Sequence, residues 1–352
     1  NHTIHKFMKD KKVIWITGAS SGIGRALAIK FAEEGWIVAA SARRENLLNE
    51  LSKINENIHI FPLDVTNINQ CKLVFKNIIN KFKNIEISVF STGIHDPKSE
   101  KEFNLDKIRK IMEVNYFGTM NSINSVYEYF SDKKNGQISI ISSVAGYRGL
   151  PAAGAYCASK SALTSFAESL NFDMQMKNVR VSLISPGFIK TPMTDQNDFP
   201  MPMIKSPEFA ASEIFKGLTK KKGFEIHFPK AFTYFLKFLQ ILPSGLYFKL
   251  VSKGMKKIDD ELGGTTPLDI IIQFEDSIII NDESDDFDVD LLDEEEPDPS
   301  RDWFTTDKVN QIKNVHDYVD SLEEVNRFHL KWEAPGGHSS RFCTQVRGPA
   351  SW

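Results

Sequence analysis

The sequence has few cysteines and no long apolar run, and each absence excludes a class of protein. Its 352 residues include three cysteines, Cys71, Cys157 and Cys343, which are odd in number and widely spaced. Such a set predicts neither a disulfide framework nor a zinc site, and it favours a reducing, cytoplasmic location. Because no window of about 18 residues is uninterruptedly apolar, a membrane-spanning helix is not expected. The first twelve residues lack an apolar core, so no secretory signal is predicted.

Basic residues are missing from one stretch, and this absence divides the chain by charge. Residues 258 to 300 hold 17 acidic residues and no Lys or Arg, whereas residues 1 to 257 hold 36 basic residues against 22 acidic ones. The net charge of −3 for the whole chain conceals this division between a basic body and an acidic appendage. Residues 282 to 298 also have almost no aromatics, and a segment of that composition is expected to be solvated and disordered.

The stretch Val13 to Gly24, VIWITGASSGIG, has the pattern of a phosphate-binding loop. Its continuous apolar run predicts a strand that is buried on both faces of a parallel sheet, and helical spacing follows the glycines. A turn of this kind brings backbone N–H groups and a helix N-terminus together, where a pyrophosphate can bind. Glycine is needed because a Cβ would block the turn or hold the phosphate away. An ordinary strand-to-helix connection is the alternative interpretation.

The spacing of Gly18, Gly22 and Gly24 after Thr17 resembles the cofactor loop of the short-chain dehydrogenase/reductase family. The resemblance covers about residues 11 to 257 and implies an α/β fold, a Rossmann-type doubly wound parallel sheet with helices on both faces. It also implies a homo-oligomer, commonly a dimer or tetramer. The loop residues that it assigns to the cofactor are Gly18, Ser20, Ser21, Gly22, Ile23 and Gly24.

Further positions match the family's cofactor site in the same order along the chain. They are Asp64 and Val65 after the third predicted strand, Gly93 after the fourth, and Pro186, Gly187 and Thr191 after the sixth. The family usually has Asn-Asn-Ala-Gly where this chain has FSTG, ending at Gly93. The missing asparagines leave Ser91 or Thr92 to make the side-chain bonds that brace the central sheet.

The end of the second predicted strand favours NADP(H) over NAD(H). In Rossmann folds an acidic residue there binds the ribose 2′-hydroxyl, whereas a nearby Arg accommodates a 2′-phosphate. In this chain Ala42 stands at the position of the acid and Arg43 follows it. The alternative is that Arg43 and Arg44 are solvated charges at the start of the next helix.

Tyr156 and Lys160 lie four residues apart, so a helix would place them on one face. A tyrosine with a pKa near 10 is a poor base at neutral pH, but a nearby ammonium favours the phenolate and lowers that pKa. We therefore predict that Tyr156 is the general acid and base. Lys160 would lower the pKa of Tyr156 and bind the cofactor ribose, and Ser143 would hold the substrate oxygen. The resemblance assigns Asn115, in a predicted helix interruption, to a water in a proton relay.

Together these residues predict an NADP(H)-dependent oxidoreductase that transfers a hydride between nicotinamide and a carbonyl or secondary alcohol. The family's substrate loop contains Met193, Phe199, Met201 and Met203. Thioethers and an aromatic ring suit an apolar substrate such as a lipid, an acyl chain or a steroid, although a lid packed on itself is an alternative. The rival function is a non-catalytic binding or membrane-surface protein on the same scaffold. Neither nucleic acid nor metal is an expected partner.

Residues 228 to 253 are aromatic and apolar with lysines at the edges, which predicts a helix in a membrane interface. A helix that covers a core face or a dimer contact is the alternative. We expect the short-chain dehydrogenase/reductase domain to span residues 1–257 and an acidic appendage to span 258–326.

Two stretches of the appendage resemble an acyl carrier protein, which would make it a degenerate helical module. Thr266 and Pro267 stand where the carrier has Asp and Ser, so no phosphopantetheine is expected, and a merely acidic appendage is the alternative. Residues 327–352, rich in Gly, Pro, Ser and Arg, are expected to have no fold of their own.

Overall fold

The computed structural model describes residues 11–97, 103–197, 201–220, 223–261, 268–272, 328–333 and 339–342. The chain divides into two compact units, Asn1–Phe248 and Lys249–Trp352. Within the described ranges, none of the helices is both long and apolar enough to cross a bilayer.

A seven-stranded parallel sheet forms the centre of the first unit, in the order β3-β2-β1-β4-β5-β6-β7. Its strands are β1 (Val13–Thr17), β2 (Ile37–Ser41), β3 (Ile58–Ile60), β4 (Ile87–Phe90), β5 (Gln137–Ile141), β6 (Arg180–Pro186) and β7 (Glu225–Phe228). The strand order reverses between β1 and β4. In a doubly wound sheet, ligands bind at the carboxyl ends of the strands beside such a reversal.

Helices cover both faces of this sheet, as the sequence predicts. In chain order they are α1 (Gly22–Glu33), α2 (Glu45–Ser52), α3 (Ile68–Phe82), α4 (Leu105–Met112), α5 (Gly118–Lys133), α6 (Gly154–Gln175), α7 (Pro207–Thr219) and α8 (Lys230–Gln240). Helix α9 (Ser244–Glu261) begins in the first unit and continues past its end.

Strand β1 explains why both faces are covered. Ile14 and Ile16 belong to the apolar core on the side of α1 and α7, whereas Val13 and Trp15 belong to the core on the side of α3, α5 and α6. Successive side chains of a strand point to opposite faces, so a continuous apolar run needs a core on each side. The predicted Rossmann-type α/β fold is confirmed.

Two local features depart from regular structure. Between α4 and α5 the chain forms a π-helical turn, Glu113–Phe117, at the interruption that the sequence predicted around Asn115. Strand β3 ends at Ile60 and is shorter than the predicted Ile58 to Val65. Pro62 has no N–H to donate to the sheet, although the N–H groups of Phe61 and Leu63 still bond to Ala40 and Ala42. The chain then turns at Asp64, whose carboxylate accepts bonds from the backbone N–H and the hydroxyl of Thr66 at 3.0 and 2.8 Å.

The second unit contains a small sheet in the order β10-β9-β8, formed by β8 (Leu268–Ile272), β9 (Phe328–Glu333) and β10 (Ser339–Phe342). Strand β8 lies parallel to β9, and β10 lies antiparallel to it. Strand β8 lies within the expected appendage 258–326, and β9 and β10 lie within 327–352, where no fold was expected. The sequence reason is the β-branched run Ile270 to Ile272 and the period of two in FHLKWE. The rest of the acidic segment lies outside the described residues.

Candidate active site

A cavity of about 410 Å³ opens at the carboxyl ends of the strands, beside the reversal between β1 and β4. Its walls contain every residue that the sequence assigned to the cofactor: Gly18, Ser20, Ser21, Gly22, Ile23, Gly24, Arg43, Asp64, Val65, Gly93, Tyr156, Lys160, Pro186, Gly187 and Thr191. Parallel strands end at one edge of the sheet, so segments that are distant in sequence meet there. Their contact with a cofactor stays a prediction.

The glycine loop has a backbone that other residues would not permit. Gly18 has φ +70°, and a Cβ on it would lie 2.9 Å from the backbone of Ser91. A Cβ on Gly24 would overlap the carbonyl oxygen of Gly18. The N-cap of α1, Ser21, makes no side-chain capping bond, so the first N–H groups of this helix can serve an anion. A dinucleotide pyrophosphate therefore fits the loop.

Arg44 joins the end of β2 to this loop, a contact that sequence reasoning missed. Its Nη2 donates hydrogen bonds to the hydroxyls of Ser20 and Ser21 at 2.9 and 2.7 Å. Arg43 also lines the cavity, as predicted. The sequence signal was the pair of arginines, but only the folded loop shows which guanidinium reaches the two serines.

Lys160 is buried on α6, where Nζ donates to the carbonyl oxygen of Ile141 at 3.1 Å. Burial lowers the pKa of Lys160 to about 8, because a low-dielectric interior disfavours the ammonium. Nζ lies 5.7 Å from the ring centroid of Tyr156. Ser143 lines the same cavity, and its Oγ accepts a bond from the N–H of Ala145 at 3.1 Å. The structure thus brings Ser143, Tyr156 and Lys160 to one cavity.

Asn115 is fully buried in the π-helical turn and does not line the cavity. Its Oδ1 accepts from the N–H of Ile94 at 2.7 Å, and its Nδ2 donates to the carbonyl of Ile94 and to the hydroxyl of Ser159, both at 3.0 Å. These bonds satisfy a buried amide. They hold the segment that follows Gly93, so Asn115 contacts the cavity wall from behind.

We expected a side chain of Ser91 or Thr92 to form the bonds that hold the central strands together, but a different side chain forms the bond that the structure shows. The hydroxyl of Thr17, at the end of β1, accepts from the backbone N–H of Ser91 at 3.2 Å. Thr17 is opposite Phe90 in the pairing of β1 with β4. A buried threonine on the neighbouring strand therefore ties the two strands together beyond their last paired residues.

The predicted substrate loop contributes only partly to the cavity. Met193 lines it, whereas Met201 and Met203 do not. Met201 accepts a bond from the amide of Asn197 at 3.3 Å, and Met203 is 47% exposed. A bridge pairs Lys205, which follows this loop, with cavity-lining Ile189. Phe199 lies outside the described residues.

His95 also lines the cavity, although sequence reasoning did not select it. Its ring centroid lies 4.5 Å from that of Tyr156. Burial lowers the pKa of His95, and the charge of Asp96 opposes this shift. The sequence feature that could have pointed to His95 is its position two residues after Gly93.

Comparison with known proteins agrees with this geometry. The family model described as short chain dehydrogenase matches residues 12–200. A Myxococcus xanthus protein named as an uncharacterized oxidoreductase is 31% identical over 236 residues, which are 66% of this chain and 93% of the relative. The chain belongs to the short-chain dehydrogenase family. It is accordingly an oxidoreductase.

One further relative and two solved structures are also similar to this chain. The 3-oxoacyl-[acyl-carrier-protein] reductase FabG of Thermotoga maritima is 32% identical over 189 residues, covering 53% of this chain and 77% of the reductase. The solved structure of ElxO with NADP bound has a TM-score of 0.56 at 24% identity, covering 62% of this chain and 97% of ElxO. A short-chain dehydrogenase of Burkholderia phymatum in complex with NAD has a TM-score of 0.57 at 22% identity, covering 66% of this chain and 93% of its own. These structures share the fold.

Proposed function

We propose that this short-chain dehydrogenase interconverts an apolar carbonyl compound and its secondary alcohol with NADP(H), using Tyr156 as the general acid and base. The observation that supports this most directly is the buried Lys160 ammonium beside the Tyr156 ring, at the edge of a cavity whose far end is the glycine loop. The dinucleotide supplies or accepts the hydride when it is bound.

Side chains of the protein would transfer the proton and bind the substrate oxygen. The Tyr156 hydroxyl donates its proton to the oxygen during reduction, and the nearby Lys160 ammonium stabilises the phenolate that remains. Ser143 Oγ accepts from Ala145, which leaves its hydroxyl hydrogen to donate to the same oxygen. Asn115 would keep Ile94 in place behind the cavity wall, and the water relay that the resemblance assigns to it would not run through its side-chain amide, which is fully bonded.

The preference for NADP(H) is supported by the arginines at the end of β2. Two guanidinium groups, of Arg43 and Arg44, line the cavity, and Arg44 already binds the hydroxyls of Ser20 and Ser21. A guanidinium binds a phosphate with charge-assisted hydrogen bonds, which a ribose hydroxyl cannot match. Arg44→Ala should therefore raise the KM for NADPH about tenfold and leave that for NADH nearly unchanged.

The test of the reaction is the nicotinamide absorbance with NADPH or NADH against a panel of ketones and 3-oxoacyl thioesters. Tyr156→Phe should reduce kcat by about a thousandfold, because it removes the proton donor. Binding of NADPH, followed by its fluorescence, should be retained by the variant. Turnover of Tyr156→Phe at the wild-type rate would refute the assigned role.

The proposal includes a cytoplasmic homo-oligomer with a peripheral membrane contact through residues 228–253. The buried thiols of Cys71 and Cys157 support a reducing compartment. Exposed apolar side chains at the end of α6, Phe172 and Met176, at 72% and 89% exposure, support contact between subunits. Light scattering of the purified chain should give a multiple of the 39.9 kDa chain mass, whereas a monomer at all concentrations would contradict the assembly.

A further inference from the structure

Helix α8 exposes a row of large apolar side chains. We call this row the outer face of α8, and it consists of Tyr234, Phe235, Phe238 and Ile241, which are 60%, 56%, 56% and 77% exposed. Their spacing places them along one side of a helix. Contiguous apolar surface of this kind, in contrast to a single exposed side chain, indicates an interaction site.

The opposite face of α8 packs against the rest of the first unit. Thr233 is buried, and its hydroxyl lies 2.6 Å from Nδ1 of His227. The ring of Phe232 lies 5.6 Å from that of Phe188, and the Lys237 ammonium pairs with Glu225. Because these contacts hold the helix to the sheet, the outer face is not required for folding of the first unit.

Arg148 holds the end of α8 to the loop that runs from Ser143 to Tyr156. Its guanidinium donates to the carbonyl oxygens of Leu239 and Leu242 at 2.9 and 2.8 Å, and it stacks 3.9 Å from the ring centroid of Tyr247. The Tyr247 hydroxyl donates back to the carbonyl of Gly149 at 2.6 Å. We call this set of contacts the Arg148 clamp.

The sequence at and after α8 favours an anionic partner. Between Glu225 and Asp259 it contains six lysines and no acidic residue, and one of them, Lys237, pairs with Glu225. Aromatic and aliphatic side chains flanked by lysines are the composition of a helix that lies in the interface of an anionic membrane. A soluble acidic protein would satisfy the lysines but would not favour a row made of two Phe, one Tyr and one Ile.

We propose that the outer face of α8 binds the surface of an anionic lipid bilayer. The opposite face carries Phe232, and a Cβ on cavity-lining Gly187 would lie 3.0 Å from that ring. Membrane binding at α8 would therefore put the bilayer on the outer side of the helix and the Gly187 wall of the cavity on its opposite side. Apolar carbonyl compounds partition into the bilayer. The lipid contact stands independently of the reaction, whereas the delivery of an apolar substrate depends on the proposed function.

The test is flotation of the full chain with vesicles of phosphatidylcholine alone or of equal parts phosphatidylcholine and phosphatidylglycerol. The variant Phe235→Ser/Phe238→Ser removes two rings from the outer face. The matched control is Ile68→Ser/Leu73→Ser on α3, where the two side chains are 41% and 58% exposed. We expect binding to anionic vesicles by the wild type and the control, and a partition coefficient about tenfold lower for the α8 variant.

Three results would overturn the proposal: no flotation of the wild type, equal flotation of the α8 variant, or equal flotation with neutral vesicles. A fall in oligomer mass for the α8 variant without any flotation would show that a second copy covers the face instead. Flotation uses no substrate, so it can succeed when the reductase assay fails. NADPH oxidation without vesicles should be the same for wild type and α8 variant.

Discussion

The glycine loop lines the cavity, whereas the Arg148 clamp holds the segment between two cavity residues, Ser143 and Tyr156, and the two regions work in opposite ways. The loop works by lacking side chains, since a Cβ on Gly18 would meet the backbone of Ser91 at 2.9 Å. The clamp works by one long side chain, whose guanidinium reaches carbonyl groups more than ninety positions away in the sequence. The loop has no room for a Cβ at Gly18 because Ser91, just after β4, lies beside it, whereas the clamp needs a long side chain to reach from Arg148 to the end of α8.

This difference has a consequence for how each region tolerates change. At Gly18 and Gly24 of the loop a Cβ would overlap neighbouring backbone, so substitution there displaces the backbone that lines the cavity. In the clamp, loss of the side chain leaves helix-terminal carbonyls without their donor and frees the segment between Ser143 and Tyr156. We therefore expect loop variants to change cofactor affinity and clamp variants to change turnover.

The largest expected effect belongs to the glycine loop. Gly18→Ala should weaken NADPH binding about a hundredfold, because φ +70° is strained for alanine and the Cβ meets Ser91. Gly35→Ala is the matched control, since Gly35 has φ +81° and a Cβ there would have nothing within 4 Å. Both variants should lose about 1–2 kcal/mol of stability from backbone strain. Fluorescence titration with NADPH measures the difference, and equal Kd values would refute it.

The clamp should show a smaller effect on a different constant. Arg148→Met should lower kcat about tenfold and cost about 1–3 kcal/mol of unfolding free energy, because three carbonyl acceptors lose a charged donor. The Kd for NADPH should stay unchanged. Arg109→Met on α4 serves as the control, since the Arg109 side chain is 72% exposed. Steady-state kinetics and urea unfolding measure both quantities, and a weaker Kd with normal kcat would place the clamp's effect at the cofactor instead.

A third effect, on the pH dependence of stability, concerns Lys160, which lines the cavity. Burial lowers its pKa from 10.5 to about 8, so the unfolded chain binds more protons between these values and stability rises with pH across that range. The cost of the buried ammonium is full below pH 8. Lys160→Met should therefore be inactive yet have a higher Tm at neutral pH, and this advantage should shrink towards pH 10.5. A constant difference in Tm across pH 7 to 10.5 would contradict the prediction.

Sequence reasoning predicted the parallel α/β sheet and the residues of the cofactor cavity because both depend on local signals. Buried strands have continuous apolar runs, and the loop from Gly18 to Gly24 needs glycines wherever it occurs. The pair Tyr156 and Lys160 is likewise local, since helical spacing alone puts them on one face. These predictions needed no knowledge of contacts between distant segments.

Other features depended on contacts that have no local pattern. The choice between Arg43 and Arg44 depended on which guanidinium reaches Ser20 and Ser21, and the bonds of Asn115 depended on the position of Ile94. The strands of the second unit were missed because residues 258–326 were interpreted from their acidic composition, without regard to the β-branched run at Ile270 to Ile272. Met201 and Met203 were assigned to the substrate by composition, but neither lines the cavity.

The sequence by itself determined the family, the α/β order and the chemical groups at the carboxyl ends of the strands, because these follow from backbone conformation and short spacing. Only the tertiary structure decided which groups share the cavity, that the clamp ties α8 to the loop before Tyr156, and that the outer face of α8 is left exposed. Such decisions depend on packing between segments far apart in the chain, where one side chain's position is fixed by many neighbours at once.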